Sequence, residues 1–281
     1  MKLNKMRMIL RLFKSNVSLC LGIIMLMGLV GITVLGPYFA PHDPLKVNMG
    51  EKIQPMSKNH LLGTDLWGRD IFSRMIFGAQ YSLSIAVGSI AISMVLGGIF
   101  GVLGGYYSTR KFASLIILAT DIIMAFPTII LGAMVAVIFG PGIFNTAIAI
   151  SVAFFPRFIR LARGATLSVK EEVYIAAARS LGMTDLRLLF IHLIPNIISS
   201  VIIMAIIWSS HAISLEVALS FLGLGVPPPT PSWGNILQDN LRIIQMQPLS
   251  VIWPCVAVAW AVQSFNMIGD RFRDILDPKM R

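Results

Sequence analysis

The stretch Glu171-Glu172-Val173-Tyr174-Ile175-Ala176-Ala177-Ala178-Arg179-Ser180-Leu181-Gly182, continuing to His192-Leu193-Ile194-Pro195-Asn196, is a polar interruption between two long apolar stretches. Its composition is too polar for a lipid environment, so the segment around it, about 162–196, must lie elsewhere. Small residues, a glycine break and a proline stop predict a compact helix-turn-helix held outside the bilayer. An element of this kind is suited to contact with a soluble partner.

The composition of the whole chain indicates a membrane protein. Of its 281 residues, 56% are hydrophobic and only 13% are charged, whereas soluble domains carry about 25% charged residues. The net charge of +10 comes from basic residues clustered beside apolar stretches. This pattern is typical of orientation in a lipid membrane and not of nucleic-acid binding.

Six apolar stretches are long enough to cross a bilayer, since a hydrocarbon core of about 30 Å needs about 20 helical residues. The sequence therefore predicts an all-α membrane protein with six transmembrane helices. Pro156 and Arg157 interrupt the end of the fourth stretch. The six predicted spans lie at about 17–37, 81–105, 113–139, 142–161, 197–223 and 249–269.

Lys and Arg predict the orientation, because they concentrate in cytoplasmic segments. The basic head (Lys2, Lys5, Arg7, Arg11, Lys14) favours a cytoplasmic N-terminus, and six spans then place the C-terminus on the same side. The predicted organisation is a cytoplasmic segment 1–16, a first helix and external loop over 17–80, a core transmembrane domain over 81–269, and a cytoplasmic tail over 270–281. The polar segment at about 162–196 is then cytoplasmic.

The polar segment resembles the EAA loop of ABC importer membrane subunits, whose pattern is Glu-Ala-Ala, three residues, Gly, nine residues, Ile, one residue, Leu-Pro. Gly182 and Pro195 match this pattern. Ala176 stands where the family has Glu, His192 stands for Ile, and Ile194 stands for Leu.

Further motifs in the same order resemble the dipeptide/oligopeptide/nickel permease family, and within it the second, C-type, subunit. The resemblance runs from about residue 15 to the C-terminus. The motifs are His60-Leu61-Leu62-Gly63-Thr64-Asp65-Leu66-Trp67-Gly68-Arg69-Asp70, Ala125-Phe126-Pro127, Leu219-Ser220-Phe221-Leu222-Gly223-Leu224-Gly225, Pro231-Ser232-Trp233-Gly234 and Phe265-Asn266-Met267-Ile268-Gly269-Asp270, with Arg273-Asp274 and Leu276-Asp277-Pro278.

The resemblance implies a type I ABC importer permease in the cell membrane of a prokaryote. Two permeases, this chain and a sister subunit, would form one translocation path. Two ATPase subunits would bind ATP and Mg on the cytoplasmic side, and an extracytoplasmic binding protein would deliver the substrate. The EAA loop would dock in a groove of the ATPase, and this chain would bind no cofactor itself.

The physical properties of the polar segment at about 162–196, which we call the coupling segment, also fit contact with a partner. Alanines let a partner approach closely, and Gly182 permits the positive φ that ends a helix. Thr184 is positioned to cap the next short helix, with Asp185 in its first turn. Glu172, one turn before Ala176, is positioned to supply the charge of the missing Glu. The predicted coupling residues are Glu172, Ala176, Ala177, Ala178, Gly182, Thr184, Asp185 and Pro195.

Polar residues inside the spans are candidates for the translocation path. Asp121 should face protein or water; it either lines the path or pairs with Arg110 or Lys111 near the cytoplasmic surface. Pro127 could kink its helix and open a cavity. In the fifth span one helical face carries Ser200, His211 and Ser214, and nearly the opposite face carries Ser209 and Glu216. The pattern does not say which face borders the path. The candidates are Asp121, Pro127, Ser200, His211, Ser214 and Glu216.

The external segments offer candidates for docking. They either contact the binding protein or cover helices of the sister subunit. Asp65, Arg69 and Asp70 are expected to form local ion pairs, and Trp233 fits an aromatic belt at the membrane surface. In the second span, Gly97, Gly101 and Gly105 form a row that predicts close helix packing more than a gate.

No catalytic residues are predicted. The sequence has no Gly-x4-Gly-Lys-Ser/Thr phosphate loop, so ATP hydrolysis must come from another chain. It also has no His-Glu-x2-His motif and no paired-cysteine metal site. Peptides are the expected substrate, with nickel or a metal chelate as the alternative. A self-contained secondary transporter or channel is a rival of another class.

Overall fold

The structure is a computed structural model that describes residues 17–276. The basic head, the predicted segment 1–16 and the end of the predicted tail lie outside the described residues. Within the described range the chain forms ten α-helices and no β-sheet. They are α1 Val17–Phe39, α2 Ile71–Tyr106, α3 Lys111–Met124, α4 Thr128–Phe139, α5 Ile143–Lys170, α6 Val173–Ser180, α7 Asp185–Arg187, α8 Ile194–Phe221, α9 Trp233–Leu241 and α10 Leu249–Leu276.

Five stretches of the described chain are helical, long and apolar enough to cross a membrane: α1, α2, α5, the run from Asp185 to Phe221, and α10. The predicted third span is instead broken. Helices α3 and α4 meet at an angle of 96°, where Ala125-Phe126-Pro127 separates them. Pro127 lacks an N–H and disfavours a helical conformation at Phe126, so the helix ends before it.

The broken pair α3–α4 still returns the chain across the bundle. Helices α2 and α5 run parallel, because Ser93 Oγ donates to the Ser151 carbonyl at 2.9 Å and Gly105, further along α2, lies against Thr166. Parallel neighbours joined by α3–α4 require that this connection travel back along their length. The pair therefore counts as one bent span, and the six predicted spans are all present.

The glycine row of α2 makes its close contact with α5. A Cβ atom on Gly97 would lie 2.6 Å from Phe158 Cβ, and one on Gly101 would lie 2.6 Å from the Ile159 carbonyl oxygen. Gly105 would meet Thr166 Cβ at 2.8 Å. The structure thus confirms packing as the role of this row.

Two helix boundaries differ from the predicted spans. Helix α2 begins at Ile71 and not at the predicted residue 81. The prediction missed its first turns because they carry Ser73 and Arg74, which are polar although they are buried. Helix α5 continues through Pro156 to Lys170, well past the predicted end at 161. Both helices are therefore longer than the hydrocarbon core requires.

The bundle has two ends, which we define by their connections. The loop end holds residues 40–70, 140–142 and 222–248, and the coupling end holds residues 107–110 and 171–193. Contacts of Gly22 with Met267 and Ile268, and of Gly36 with Ile76, show that α1 starts and α10 finishes toward the coupling end. The described chain thus begins and finishes toward the same side.

Candidate functional site

Helix α6 presents a small, mostly apolar surface at the coupling end. Ile175 and Ala178 are buried against Leu188 in a separate small core, which fixes the helix on the bundle. The opposite side carries Ala176 and Ala177, both exposed. It is bordered by Val173 and Leu181, whose exposed fractions are 83% and 88%. Two nearly free apolar side chains flanking alanines form a surface suited to a partner.

Gly182 ends α6 in the predicted way. Its φ is +82°, which a residue with a side chain adopts only under strain. The Gly182 N–H donates to the Arg179 carbonyl at 3.0 Å and the Met183 N–H to the Ala178 carbonyl at 3.2 Å. These two bonds are the Schellman motif. They set the direction in which the chain leaves α6.

Asp185 lies in the first turn of α7 as predicted, whereas the Thr184 side chain does not act as predicted. Thr184 occupies the N-cap position of α7, but its side chain makes no capping bond. Asp185 instead accepts hydrogen bonds from the Tyr106 hydroxyl at 2.5 Å and from the Tyr107 hydroxyl at 3.3 Å. The carboxylate therefore ties the coupling segment to the C-terminal end of α2.

Tyr106 is the centre of this contact. Tyr106 is only 4% exposed, and its hydroxyl oxygen accepts a hydrogen bond from Arg179 Nη2 at 3.2 Å. Lys170 Nζ donates to the Tyr106 carbonyl at 2.8 Å and lies over the ring. One residue thus joins α2 to α5, α6 and α7.

The prediction that Pro195 ends a helix is wrong. Pro195 lies within a continuous helical run from Asp185 to Phe221, and the turn before it, Leu188–Leu193, is π-helical. A π-turn changes the hydrogen-bond ladder locally, so a proline that lacks an N–H can follow without ending the helix. The segment returns to the bundle as a rigid helix.

The two polar faces of α8 have different environments. Ser200, His211 and Ser214 are exposed in this chain, whereas Ser209 is buried and Glu216 is completely buried. The Ser220 hydroxyl donates to Glu216 Oε1 at 2.8 Å. Glu216 is therefore a packing residue, and the prediction that it borders the path is wrong.

Asp121 forms an ion pair with a partner that the sequence reasoning missed. Arg160 Nη2 lies 2.7 Å from Asp121 Oδ1, and both side chains are more than half exposed. Arg110 and Lys111, the predicted partners, are not involved. The pair joins α3 to α5 close to the bend, where Pro127 helps to line an open cavity of about 360 Å³.

The residues predicted for external docking are buried. Asp65, Arg69, Asp70 and Trp233 are each 5% exposed or less, so they present almost no surface to a partner. The Trp233 indole N–H donates to the Met75 carbonyl at 3.1 Å, which packs it inside the protein and not at the membrane surface.

The predicted local ion pairs are present at the loop end. Arg69 Nε lies 2.6 Å from Asp65 Oδ2, and Arg69 Nη2 lies 2.8 Å from Asp239 Oδ2. Arg74 Nη2 reaches the same Asp239 oxygen at 3.4 Å. Asp70 caps α2 by accepting the Ser73 N–H at 2.8 Å. These residues hold the loop on the bundle.

Comparison with known proteins decides the family. Residues 93–281 match the family model described as "Binding-protein-dependent transport system inner membrane component". The chain belongs to this family. Its members include permease subunits that resemble this chain over nearly their whole length.

Three relatives illustrate the match. The chain is 37% identical to the dipeptide transport system permease protein DppC of Alkalihalophilus pseudofirmus, over 95% of this chain and 88% of the relative. It is 36% identical to the glutathione transport system permease protein GsiD of Pectobacterium atrosepticum, over 96% and 90%. It is 33% identical to the oligopeptide transport system permease protein OppC of Bacillus subtilis, over 96% and 88%.

Family membership confirms the type I permease fold and the bacterial membrane location. It makes the chain a transport subunit and not an enzyme, with ATP hydrolysis on a separate chain. It also implies ATPase and substrate-binding partners in general terms. Membership disfavours the rival view of a self-contained secondary transporter or channel.

Proposed function

We propose that this chain is the permease subunit of an ATP-driven importer of peptides. The observation that carries the substrate class is full-length similarity to permeases named for dipeptides, oligopeptides and glutathione. Nickel is not favoured, because the named relatives transport peptides. The chain forms the translocation path with a sister permease, as a heterodimer, and an extracytoplasmic binding protein delivers the peptide.

The coupling end contacts the ATPase subunits, of which two serve the complete transporter. Their ATP and Mg stay outside this chain. The exposed Ala176 and Ala177 between Val173 and Leu181 support this docking. Glu172, at the N-cap position of α6 with no capping bond of its own, is available to supply the charge that Ala176 lacks.

Movement then passes from the coupling segment into the bundle through rigid contacts. The Schellman motif at Gly182 fixes α6 relative to α7. The continuous helical run from Asp185 to Phe221 passes through Pro195 into the membrane. Tyr106 links the same segment to α2. Closure of the ATPases would therefore tilt α8 and α2 together.

The translocation path follows the exposed polar face of α8. This face carries Ser200, His211 and Ser214, and all three are exposed in this chain. The Asp121–Arg160 pair is also more than half exposed, and Pro127 lines an open cavity. A sister subunit would enclose these groups, which explains how polar residues can remain exposed at membrane depth.

The coupling end faces the cytoplasm in this proposal. The basic residues at 157–187 support it, as does the basic head that precedes α1. Segments 1–16 and 270–281 are then cytoplasmic. The region 17–80 supplies the first helix and outer loop, and 81–269 supplies the core permease domain.

Substitution of Gly182 by Val tests the coupling role. No atom lies within 4 Å of a Cβ at this position, so the effect is backbone strain of about 1–2 kcal/mol and not a clash. In proteoliposomes with the complete transporter, we expect Gly182→Val to lower ATP-driven uptake of a labelled dipeptide several-fold, with normal membrane insertion.

Two matched variants control this experiment. Gly182→Asn should keep more uptake than Gly182→Val, because Asn tolerates the left-handed conformation. Gly164→Ala changes another open glycine, in helical α5, and should leave uptake unchanged. Normal uptake by Gly182→Val would contradict the coupling role, and uptake of Ni²⁺ without uptake of any peptide by the native transporter would contradict the substrate class.

A further inference from the structure

The loop end brings together two histidines and a carboxylate that lie far apart in the sequence. His60 Nδ1 lies 2.9 Å from Asp70 Oδ1, and His42 Nδ1 lies 3.9 Å from the same oxygen. The ligand atoms of the three residues all lie within 4.8 Å of one another. The imidazole rings stack, with centroids 4.7 Å apart.

A hydrogen bond explains only part of this cluster. The His60–Asp70 distance fits one, but His42 Nδ1 is too far from the carboxylate for a second. A metal ion would use all three groups. Two ligands of a tetrahedral Zn²⁺ at about 2.1 Å lie about 3.4 Å apart, a value that the two measured separations bracket.

Surrounding groups fix the Asp70 carboxylate and the backbone of His42, and a carboxylate lies near His60. The other ring nitrogen of His60, Nε2, faces Glu51 Oε2 at 3.6 Å, and a ligating histidine commonly directs its second nitrogen at a carboxylate. The second Asp70 oxygen accepts the Ser73 N–H at 2.8 Å. Ser73 Oγ in turn accepts the His42 backbone N–H at 3.1 Å, which fixes the loop beside α2.

The cluster also has an entry route. His60 and Asp70 are 5% and 3% exposed, whereas the His42 side chain is 40% exposed. His42 lines an open cavity of about 480 Å³ between Pro37, Tyr81 and Pro231. An ion can enter past His42 and keep a water molecule as its fourth ligand.

We propose that His42, His60 and Asp70 bind a resident divalent cation of the zinc type, which clamps the loop after α1 to the start of α2. Two imidazoles and one carboxylate are a ligand set that suits Zn²⁺. Two of the three ligands are buried and one caps α2, so the ion stays with the protein and is not transported cargo. The sequence pattern did not predict this site, because its ligands come from separate turns of the loop.

The test is Zn²⁺ binding by the purified full-length chain in nanodiscs, measured by competition with a chromophoric chelator. We expect one tight equivalent for the native chain. His42→Gln and His60→Gln should weaken binding by more than about tenfold, since even second-shell changes cost that much. His211→Gln, at an exposed histidine on α8, is the matched control and should bind like the native chain.

Two further readouts separate a built site from loss of folding. Co²⁺ should give the visible absorption of a tetrahedral complex in the native chain but not in His42→Gln. Added Zn²⁺ should raise the melting temperature of the native chain by mass action and leave that of His42→Gln unchanged. Absence of saturable Zn²⁺ binding at micromolar concentration, or equal affinity in the native chain and His42→Gln, would overturn the proposal.

Discussion

Tyr106 is the residue at which the long helix α2 meets the coupling segment. Its hydroxyl lies between a carboxylate, Asp185, and a guanidinium, Arg179. Hydrogen bonds to charged groups contribute about 1.5–3 kcal/mol each. The contact is therefore strong enough to hold α2 and α7 in one arrangement.

Tyr106→Phe keeps the ring and removes both hydroxyl contacts. We expect the purified chain to lose at least the contribution of one such bond, about 1.5–3 kcal/mol, in stability against denaturant, and the complete transporter to lose ATP-driven uptake several-fold. Tyr107→Phe is the matched control, because the Tyr107 hydroxyl is exposed and lies 3.3 Å from Asp185. Equal effects of the two variants would show that Tyr106 has no special role.

At the residue scale, sequence reasoning located the coupling segment but not its contacts. The positive φ of Gly182 follows from the glycine itself. Asp185 was expected at a helix start, and its bond to Tyr106 depends on a fold that brings together residues 79 positions apart. The pair between Asp121 and Arg160 was not predicted for the same reason, since helical periodicity does not reveal which helices are neighbours.

Close approach of α2 and α5 is the main packing contact among the described helices. The glycines of α2 bring the two backbones together, and the polar contact between Ser93 and Ser151 adds to it. Because the helices are parallel, this contact runs along much of their length. It gives the bundle a rigid centre on which α8 and the bent α3–α4 pair rest.

Two alanine substitutions in α2 test this contact. A Cβ at Gly101 would lie 2.6 Å from the Ile159 carbonyl oxygen and 2.7 Å from Ala162 Cβ, so Gly101→Ala should destabilise the purified chain by about 1–3 kcal/mol through overpacking. Gly98→Ala should be neutral or stabilising by up to about 1 kcal/mol, because nothing lies within 4 Å of its added Cβ. Denaturation in detergent measures both. A Gly101→Ala variant as stable as Gly98→Ala would exclude the glycine row as the packing contact.

At the element scale, apolar length predicted every span, but not every boundary. The start of α2 was missed because Arg74 is buried and paired with Asp239, so a charged residue sits in a helix interior. Pro127 did mark the bend in the third span. Pro156 and Pro195 look similar in sequence, yet each lies in a continuous helical run; a π-helical turn precedes Pro195.

The whole molecule has two ends with different chemistry. The loop end is closed by buried ion pairs, and the docking surface expected from Asp65, Arg69 and Trp233 is absent because these residues are inside. The coupling end is open, with apolar side chains exposed around two alanines. Composition and the order of the motifs were sufficient to predict a membrane protein and its family. Both are properties of the whole chain and do not depend on individual contacts.

Docking of the coupling end on the ATPase is the central claim, and one co-purification experiment tests it most directly. Leu181→Asp places a charge on a side chain that is 88% exposed and that docking would bury. An unpaired buried charge costs several kcal/mol. Leu45→Asp, an exposed leucine at the loop end, is the matched control.

The measurement is the amount of ATPase that co-purifies with the tagged permease from membranes that hold the complete transporter. We predict at least a tenfold loss for Leu181→Asp and native amounts for Leu45→Asp, with equal permease in both membranes. Native ATPase recovery with Leu181→Asp would contradict docking at the coupling end.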